Sequence, residues 1–188
     1  MSNELKCEFP EGCMLDIFAN VIKAKYQARQ VKVLDALFCV PDEQVGGKIT
    51  AIDDIKVKVL ATDENLNFNR VKIFIDFEVI LFVLVDCEYQ IITITDRYTQ
   101  TIELDEFDPP LTAAEFSSEV DRSEIILCNW SFDFQIRGNC EDRSNPAQLT
   151  TPVSGTAIEL RAYVDIVDKL GKYHDIIVYG ELDPDSIC

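Results

Sequence analysis

The sequence predicts an all-β fold, an antiparallel β-sandwich or partly open barrel of about eight or nine strands behind a flexible N-terminal arm. Three observations predict it. Apolar and polar residues alternate with a period of two over most of the chain, helical spacing is nearly absent, and turn residues recur at regular intervals.

Met1 to Met14 (1–14) is a polar arm holding Cys7, Pro10, Gly12 and Cys13, with no periodic element. Leu15 to Lys25 fits a strand or a short helix. Gln27 to Val40 is a strand apolar on both faces, because Val31, Val33, Leu37 and Cys39 share one parity while Leu34, Ala36 and Phe38 occupy the other. Ile55, Val57 and Val59 then alternate with Lys56 and Lys58, and Asp63-Glu64-Asn65 marks a break. From Arg70 to Val85, the residues Val71, Ile73, Ile75, Phe77 and Val79 line one face, and from Ile80 both faces are apolar. The length of that run predicts a bulge or bend within it.

Gln90 to Thr95 and Tyr98 to Leu104 form a predicted hairpin across Asp96-Arg97. Asp105 to Ser123 is an acidic connection containing Pro109-Pro110 and a helical turn at Thr112 to Phe116. Beyond it, Ile126, Cys128, Trp130, Phe132, Phe134 and Ile136 share the apolar side of the clearest half-buried strand. Arg137 to Gly155 has the composition of a loop, and Thr156 to Val167 is predicted to pair with Asp175 to Tyr179 across a turn at Asp168 to Lys172. The sandwich domain is thus expected at 15–182, its parts 15–104 and 125–180 belonging to one unit, with an acidic tail at 183–188.

The 188 residues include 17 Lys+Arg and 34 Asp+Glu, a formal charge of −17, and 47% are hydrophobic. That apolar share excludes an intrinsically disordered acidic chain. The acidic excess argues against nucleic acid and anionic membranes as partners, since both are polyanions. Met1 to Pro10 lacks the apolar stretch of an export signal, and the longest apolar run, Val79 to Val85, is too short to span a bilayer.

Motifs for chemistry are scarce. The single histidine, His174, stands in Lys172-Tyr173-His174-Asp175 without G-x-S-x-G or a cysteine-protease context, so no catalytic residue is assigned and an enzyme is not expected. No C-x-x-C supports zinc. Asp105, Glu106 and Asp108 offer hard oxygen ligands for calcium but lack the EF-hand order; solvated acidic loops are the simpler reading, and no cofactor or metal site is assigned. Gly46-Gly47 is a turn and not a phosphate cradle.

The seven cysteines are an odd number, so pairing within one chain leaves a thiol over. Cys39 and Cys128 fall at apolar positions and are expected to be core thiols. Cys87 stands at a strand end. Cys7, Cys13, Cys188 and Cys140 lie in the arm, the tail and a loop, where a side chain can reach a neighbour without deforming the core; these four are the candidates for disulfides between subunits.

The stretch from Val31 to Leu104, with its early Lys32-Val33 strand, the long strand ending in Phe82-Val83-Leu84-Val85 and the pair closing in Ile102-Glu103-Leu104, followed by a second β unit at Ile125 to Val178, resembles SPOCS-type domains of endospore-forming Firmicutes. These occur in SipL-like and other spore coat-associated proteins. The plan of a cysteine-bearing arm ahead of one β domain also resembles spore-appendage subunits. The resemblance implies a structural, non-catalytic protein made in the mother-cell cytoplasm without a signal peptide and placed at the spore surface. It also implies copies of itself and other spore-surface proteins as partners. The chain lacks a recognisable peptidoglycan-binding repeat, which argues against a cortex tether. The expected function is a self-assembling subunit of a coat, exosporium or appendage fibre, joined by strand or arm contacts and locked by disulfides. A monomeric coat-protein recruitment module is the alternative, and a carbohydrate-active β-sandwich enzyme a more distant one.

Overall fold

The computed structural model describes residues 13–67, 69–140 and 154–180. Two three-stranded antiparallel sheets face each other across one hydrophobic core. The first is ordered β1 (Cys13–Pro41), β6 (Gly155–Gly180), β5 (Arg122–Asn139), and the second β2 (Ile49–Asn67), β3 (Arg70–Val85), β4 (Glu88–Glu103). Between strands lie a short helix α1 (Asp42–Val45), a 3-10 turn (Leu104–Glu106) and helix α2 (Ala113–Glu119). The all-β sandwich is therefore as predicted, with six strands in place of eight or nine.

The count differs because three predicted breaks, at Tyr26, Asp96-Arg97 and Asp168–Lys172, lie inside continuous strands. Asp63-Glu64-Asn65, expected to end a strand, pairs with Phe74, Ile73 and Lys72, so β2 runs on to Asn67 without a change in the count. Asp96 and Arg97 pair with Phe77 and Asp76, and the Arg97 guanidinium grips the Asp76 carboxylate through Nε (2.5 Å) and Nη2 (2.7 Å). An exposed cross-strand ion pair thus mimics the composition of a turn. The true hairpin is Asp86-Cys87, where φ of +47° and +68° supplies the two positive values a tight two-residue turn requires. The Asp168–Lys172 segment continues β6. Gly171 there is no turn residue: a Cβ would lie 2.5 Å from Asn20 Oδ1 and 2.6 Å from the Val21 carbonyl oxygen, so only glycine lets β1 approach so closely.

β3 and β6 are the central strands; β3 buries every second residue, and so does β6 from Ile158 to Leu170. Val71 through Val83 on odd positions and Ile158 through Leu170 on even ones make the two walls of the core. The bulge predicted within Arg70–Val85 is absent; β3 is unbroken against β4, and the irregularities fall on β2, between Ile49/Ala51, Ile52/Asp54 and Val59/Ala61. Leu15–Lys25 and Gln27–Val40 are one strand, and β1 already begins at Cys13, inside the stretch expected to be arm. β1 joins the sheet of the later strands, so the chain's two halves do not each form a sheet.

Bulges reset which face a residue occupies. In β5, Ile125 and Leu127 pack on the core; after the shift between Cys128 and Ser131, where Asn129 adopts φ +54°, Trp130, Phe132 and Ile136 do so instead. Cys128 is thereby turned to solvent, and the expectation of a core thiol is corrected. Phe134, expected on the same apolar face, is 49% exposed on this edge strand. β1 carries a matching bulge at Gln30 (φ +52°), and Asp165 on β6 binds both, accepting from the Gln30 amide (2.8 Å) and Asn129 Nδ2 (2.9 Å). Those two bonds hold the Asp165 carboxyl below its ordinary range, Asn129 contributing most.

β5 starts opposite Gly171, whereas β1 and β6 stay paired out to Cys13 and Gly180. The first sheet therefore extends as a two-stranded ribbon past the sandwich. At the other end β1, β6, β2 and β3 converge, where the Ile49 amide donates to Thr156 Oγ1 (3.3 Å).

Candidate functional site

A six-stranded sandwich that does not close into a barrel leaves four edge strands, and the residues on them decide whether an edge is shielded or open. β1 is interrupted by three register shifts and capped midway by Asp108, whose backbone exchanges two 2.9 Å hydrogen bonds with Lys25. β2 has three register shifts, and Asp54 and Asp63 fold back to accept from the amides of Ile55 and Glu64 (both 2.9 Å). β5 has two shifts.

β4 differs from these. Its 16 residues, Glu-Tyr-Gln-Ile-Ile-Thr-Ile-Thr-Asp-Arg-Tyr-Thr-Gln-Thr-Ile-Glu, pair with β3 without a bulge and contain no lysine or proline. A single side-chain cap interrupts it, Asp96 Oδ1 accepting from the Arg97 amide at 2.8 Å. Near Gln100 the strand is anchored inward, Gln100 Nε2 donating to Tyr26 Oη at 2.6 Å. Glu88 to Thr95 is thus a bulge-free, uncapped edge rich in β-branched residues, the composition that accepts a further strand.

The cysteines divide differently from expectation. Cys39 and Cys140 form a disulfide within the chain, with Cα atoms 5.6 Å apart and 101 residues between them in sequence. The expected core thiol Cys39 and the expected intersubunit candidate Cys140 are therefore each other's partner. Cys39 is exposed on β1 and bonded, so the expectation of a core thiol is corrected here too, and nothing in the spacing shows that Arg137–Gly155 brings Cys140 to it. The bridge crosses β6 at Gly155, where a Cβ would sit 3.0 Å from Cys140 Sγ and 3.1 Å from Cys39 Sγ. Among the described residues Cys87 and Cys128 are exposed free thiols. Cys7 and Cys188 lie outside the described residues, and Cys13 is described only as the first residue of β1.

The acidic connection is built for its own folding. Glu106 Oε2 accepts from the Glu103 amide (2.7 Å) and Glu115 Oε2 from the Thr112 amide (2.9 Å), each closing a capping box. Asp105, Glu106 and Asp108 do not converge on a point, and among the described residues no three His, Cys, Asp or Glu side chains are placed to hold a metal ion. His174 is exposed opposite Ala19 on β1.

One polar feature escapes the sequence reading altogether. Asp168, expected in a turn, points into the core between the sheets with no exposed surface. Its Oδ1 accepts from Ser123 Oγ at 2.6 Å, and its Oδ2 is buried without a hydrogen-bond partner. Burial pushes the carboxyl up to about 6; Ser123 opposes the rise and the charge of Glu64, from β2, adds to it. Glu64 is itself raised, first by burial and then by Asp63.

No curated protein and no solved structure matches the chain. Residues 85–183 match the family described as a domain of unknown function (DUF8305). The match runs from the end of β3 through the open β4 edge, the acidic connection, β5 and β6, and covers more than half of the 188 residues. The chain belongs to the DUF8305 family.

Proposed function

We propose that this protein is a self-assembling structural subunit of the bacterial endospore surface, in a coat, exosporium or appendage fibre. Its copies associate through strand or arm contacts and are locked by intermolecular disulfides. The observation that carries the assembly reading is the β4 edge: Glu88 to Thr95 offers a bulge-free run of backbone donors and acceptors, while the other three edges are broken by bulges. A strand from a neighbour satisfies those groups at little cost in rearrangement. The spore-surface setting comes from the resemblance to SPOCS-type proteins, and other spore-surface proteins are the proposed further partners.

With Cys140 committed to Cys39, the locking cysteines are Cys7, Cys13 and Cys188, joined by the exposed Cys87 and Cys128. A charge of −17 opposes association, so salt or divalent cations promote assembly by screening. Electron microscopy and non-reducing gels of the full chain test this. Ordered fibres or sheets with a ladder that collapses in reductant, and that weakens in Cys7→Ser/Cys13→Ser, are expected. A single monomer band and no assemblies, oxidised or reduced and at low or high salt, reject the reading. Immunogold labelling confined to the vegetative cytosol rejects the location.

A further inference from the structure

We infer that the outer face of the β2–β3–β4 sheet is a contact surface for a second copy of this chain, stacking sheet against sheet. The inference rests on the reading that copies associate, and adds a noncovalent contact distinct from the strand edge and the cysteines.

The alternation of β3 sends its odd residues into the core and its even residues, Ile80, Phe82 and Leu84 among them, to the outside. Directly paired residues share a face, so Ile91 stands beside Phe82 and Tyr89 beside Leu84. Tyr89 is 65% and Ile91 62% exposed. These five side chains make one apolar stretch at the Asp86-Cys87 end of the sheet, half-buried on β3 and open to solvent on β4. This is the physical content of a run that is apolar on both faces: one face fills the core, and the other is left partly exposed among the described residues.

The charges around the stretch favour a like partner. The cations on this face are Arg70, Lys72, Lys56, Lys58 and Arg97. Its carboxylates are Asp54, Asp63, Asp76, Glu78 and Glu103. The face is therefore neutral in a chain whose net charge is −17, and two copies meeting here escape the repulsion that opposes them elsewhere. Several of the charges are already engaged inside the face, Arg97 with Asp76 and Lys56 with the Phe82 ring at 5.0 Å. The opposite outer face is occupied by ion pairs, Arg161 with Asp35 and Glu159, and Arg137 with Glu159, in place of an apolar stretch.

The size also fits. The 16 residues of β3 at about 3.3 Å each, by three strands about 4.8 Å apart, give a face of about 750 Å², close to the roughly 800 Å² per partner of a standard interface.

Sedimentation velocity of the full chain in reductant tests the contact, comparing wild type with Phe82→Lys, on the central strand β3 with no free edge, and Phe134→Lys. Both variants reduce the net negative charge by one, which alone would favour association. Phe82→Lys is expected to weaken self-association about tenfold or more, the scale of losing one buried phenylalanine from an interface. Phe134→Lys, an equal charge change at a 49% exposed residue outside this face, is expected to leave it intact. Equal association of all three proteins overturns the contact, as does equal weakening by both variants. A wild type that is monomeric in reductant but assembles when oxidised overturns the contact alone; one that is monomeric in both states overturns the assembly reading with it.

Discussion

Asp168→Asn removes an ionisable group from the interior of the sandwich and leaves its shape unchanged. The wild-type carboxyl has an ordinary value of 3.8 and is raised to about 6 in the fold, chiefly by burial, with the charge of Glu64 adding to the rise and the Ser123 hydroxyl opposing it. Tyr26 on β1 and Ile125 on β5 flank it in register and offer no compensating cation. Because the folded value lies above the unfolded one, the contribution of Asp168 to stability is fully present below about pH 4 and is lost as pH rises through about 6. Moving a carboxyl from 3.8 to about 6 corresponds to about 3 kcal/mol, so the wild type carries a penalty of that order at neutral pH. Asparagine keeps an oxygen to accept from Ser123 Oγ and sets an amide donor where the unpartnered Oδ2 stood. Urea unfolding of both proteins with the disulfide intact, in buffers from about pH 4 to about pH 8, measures the difference. Asp168→Asn is expected to gain on the wild type by up to about 3 kcal/mol as pH rises, and to lose that advantage in acid. A variant whose stability follows the same pH slope as the wild type refutes the assignment.

Three further outcomes are expected. Cys39→Ser/Cys140→Ser opens a loop of 101 residues and lowers stability by about 2–5 kcal/mol in urea unfolding; a midpoint unmoved by the substitution or by reductant contradicts the bridge. Gly171→Ala drives a methyl group to within 2.6 Å of the Val21 carbonyl, and faster amide exchange in the β1–β6 pairs around Ile22 is the expected signature; unchanged protection there would mean the strands are not so close. Cys87→Gly relieves a non-glycine residue at φ +68° and raises stability by about 1 kcal/mol, whereas a loss would show that the Cys87 side chain makes a contact worth more than the turn strain.

The fold class was legible because burial on one side of a sheet writes itself as a period of two, and β3 over its length and β6 from Ile158 to Leu170 carry that period unbroken. Strand boundaries were not, because Asp96, Arg97 and Asp63 have turn composition for a different reason: they are exposed edge residues whose charges find partners across the strand or cap the edge itself. The outward turn of Cys128 follows from a bulge at Asn129, a residue that tolerates positive φ but does not announce it. The Cys39–Cys140 bridge depends on contact across 101 residues, which no local pattern encodes. The open β4 edge was not read from the sequence, which divides that strand at Asp96-Arg97, and its significance needed the other three edges for contrast. Asp168 was the opposite case, a polar residue whose ordinary reading is a turn and whose actual place is buried between the sheets.

The pairing of β1 with β6 also determines how the molecule bears load. Cys13 and Gly180 sit side by side at the ribbon tip, so a force pulling those two points apart peels the strands one pair at a time. Peeling that travels the full ladder arrives at the Cys39–Cys140 bridge, which straps β1 to β5 across β6 and halts it at a covalent bond. A force applied between the ribbon tip and the Asp86-Cys87 hairpin passes instead from one sheet to the other, which share no ladder, and so loads the packed core between them as a whole. The same subunit yields stepwise to one direction of pull and resists the other with many contacts at once.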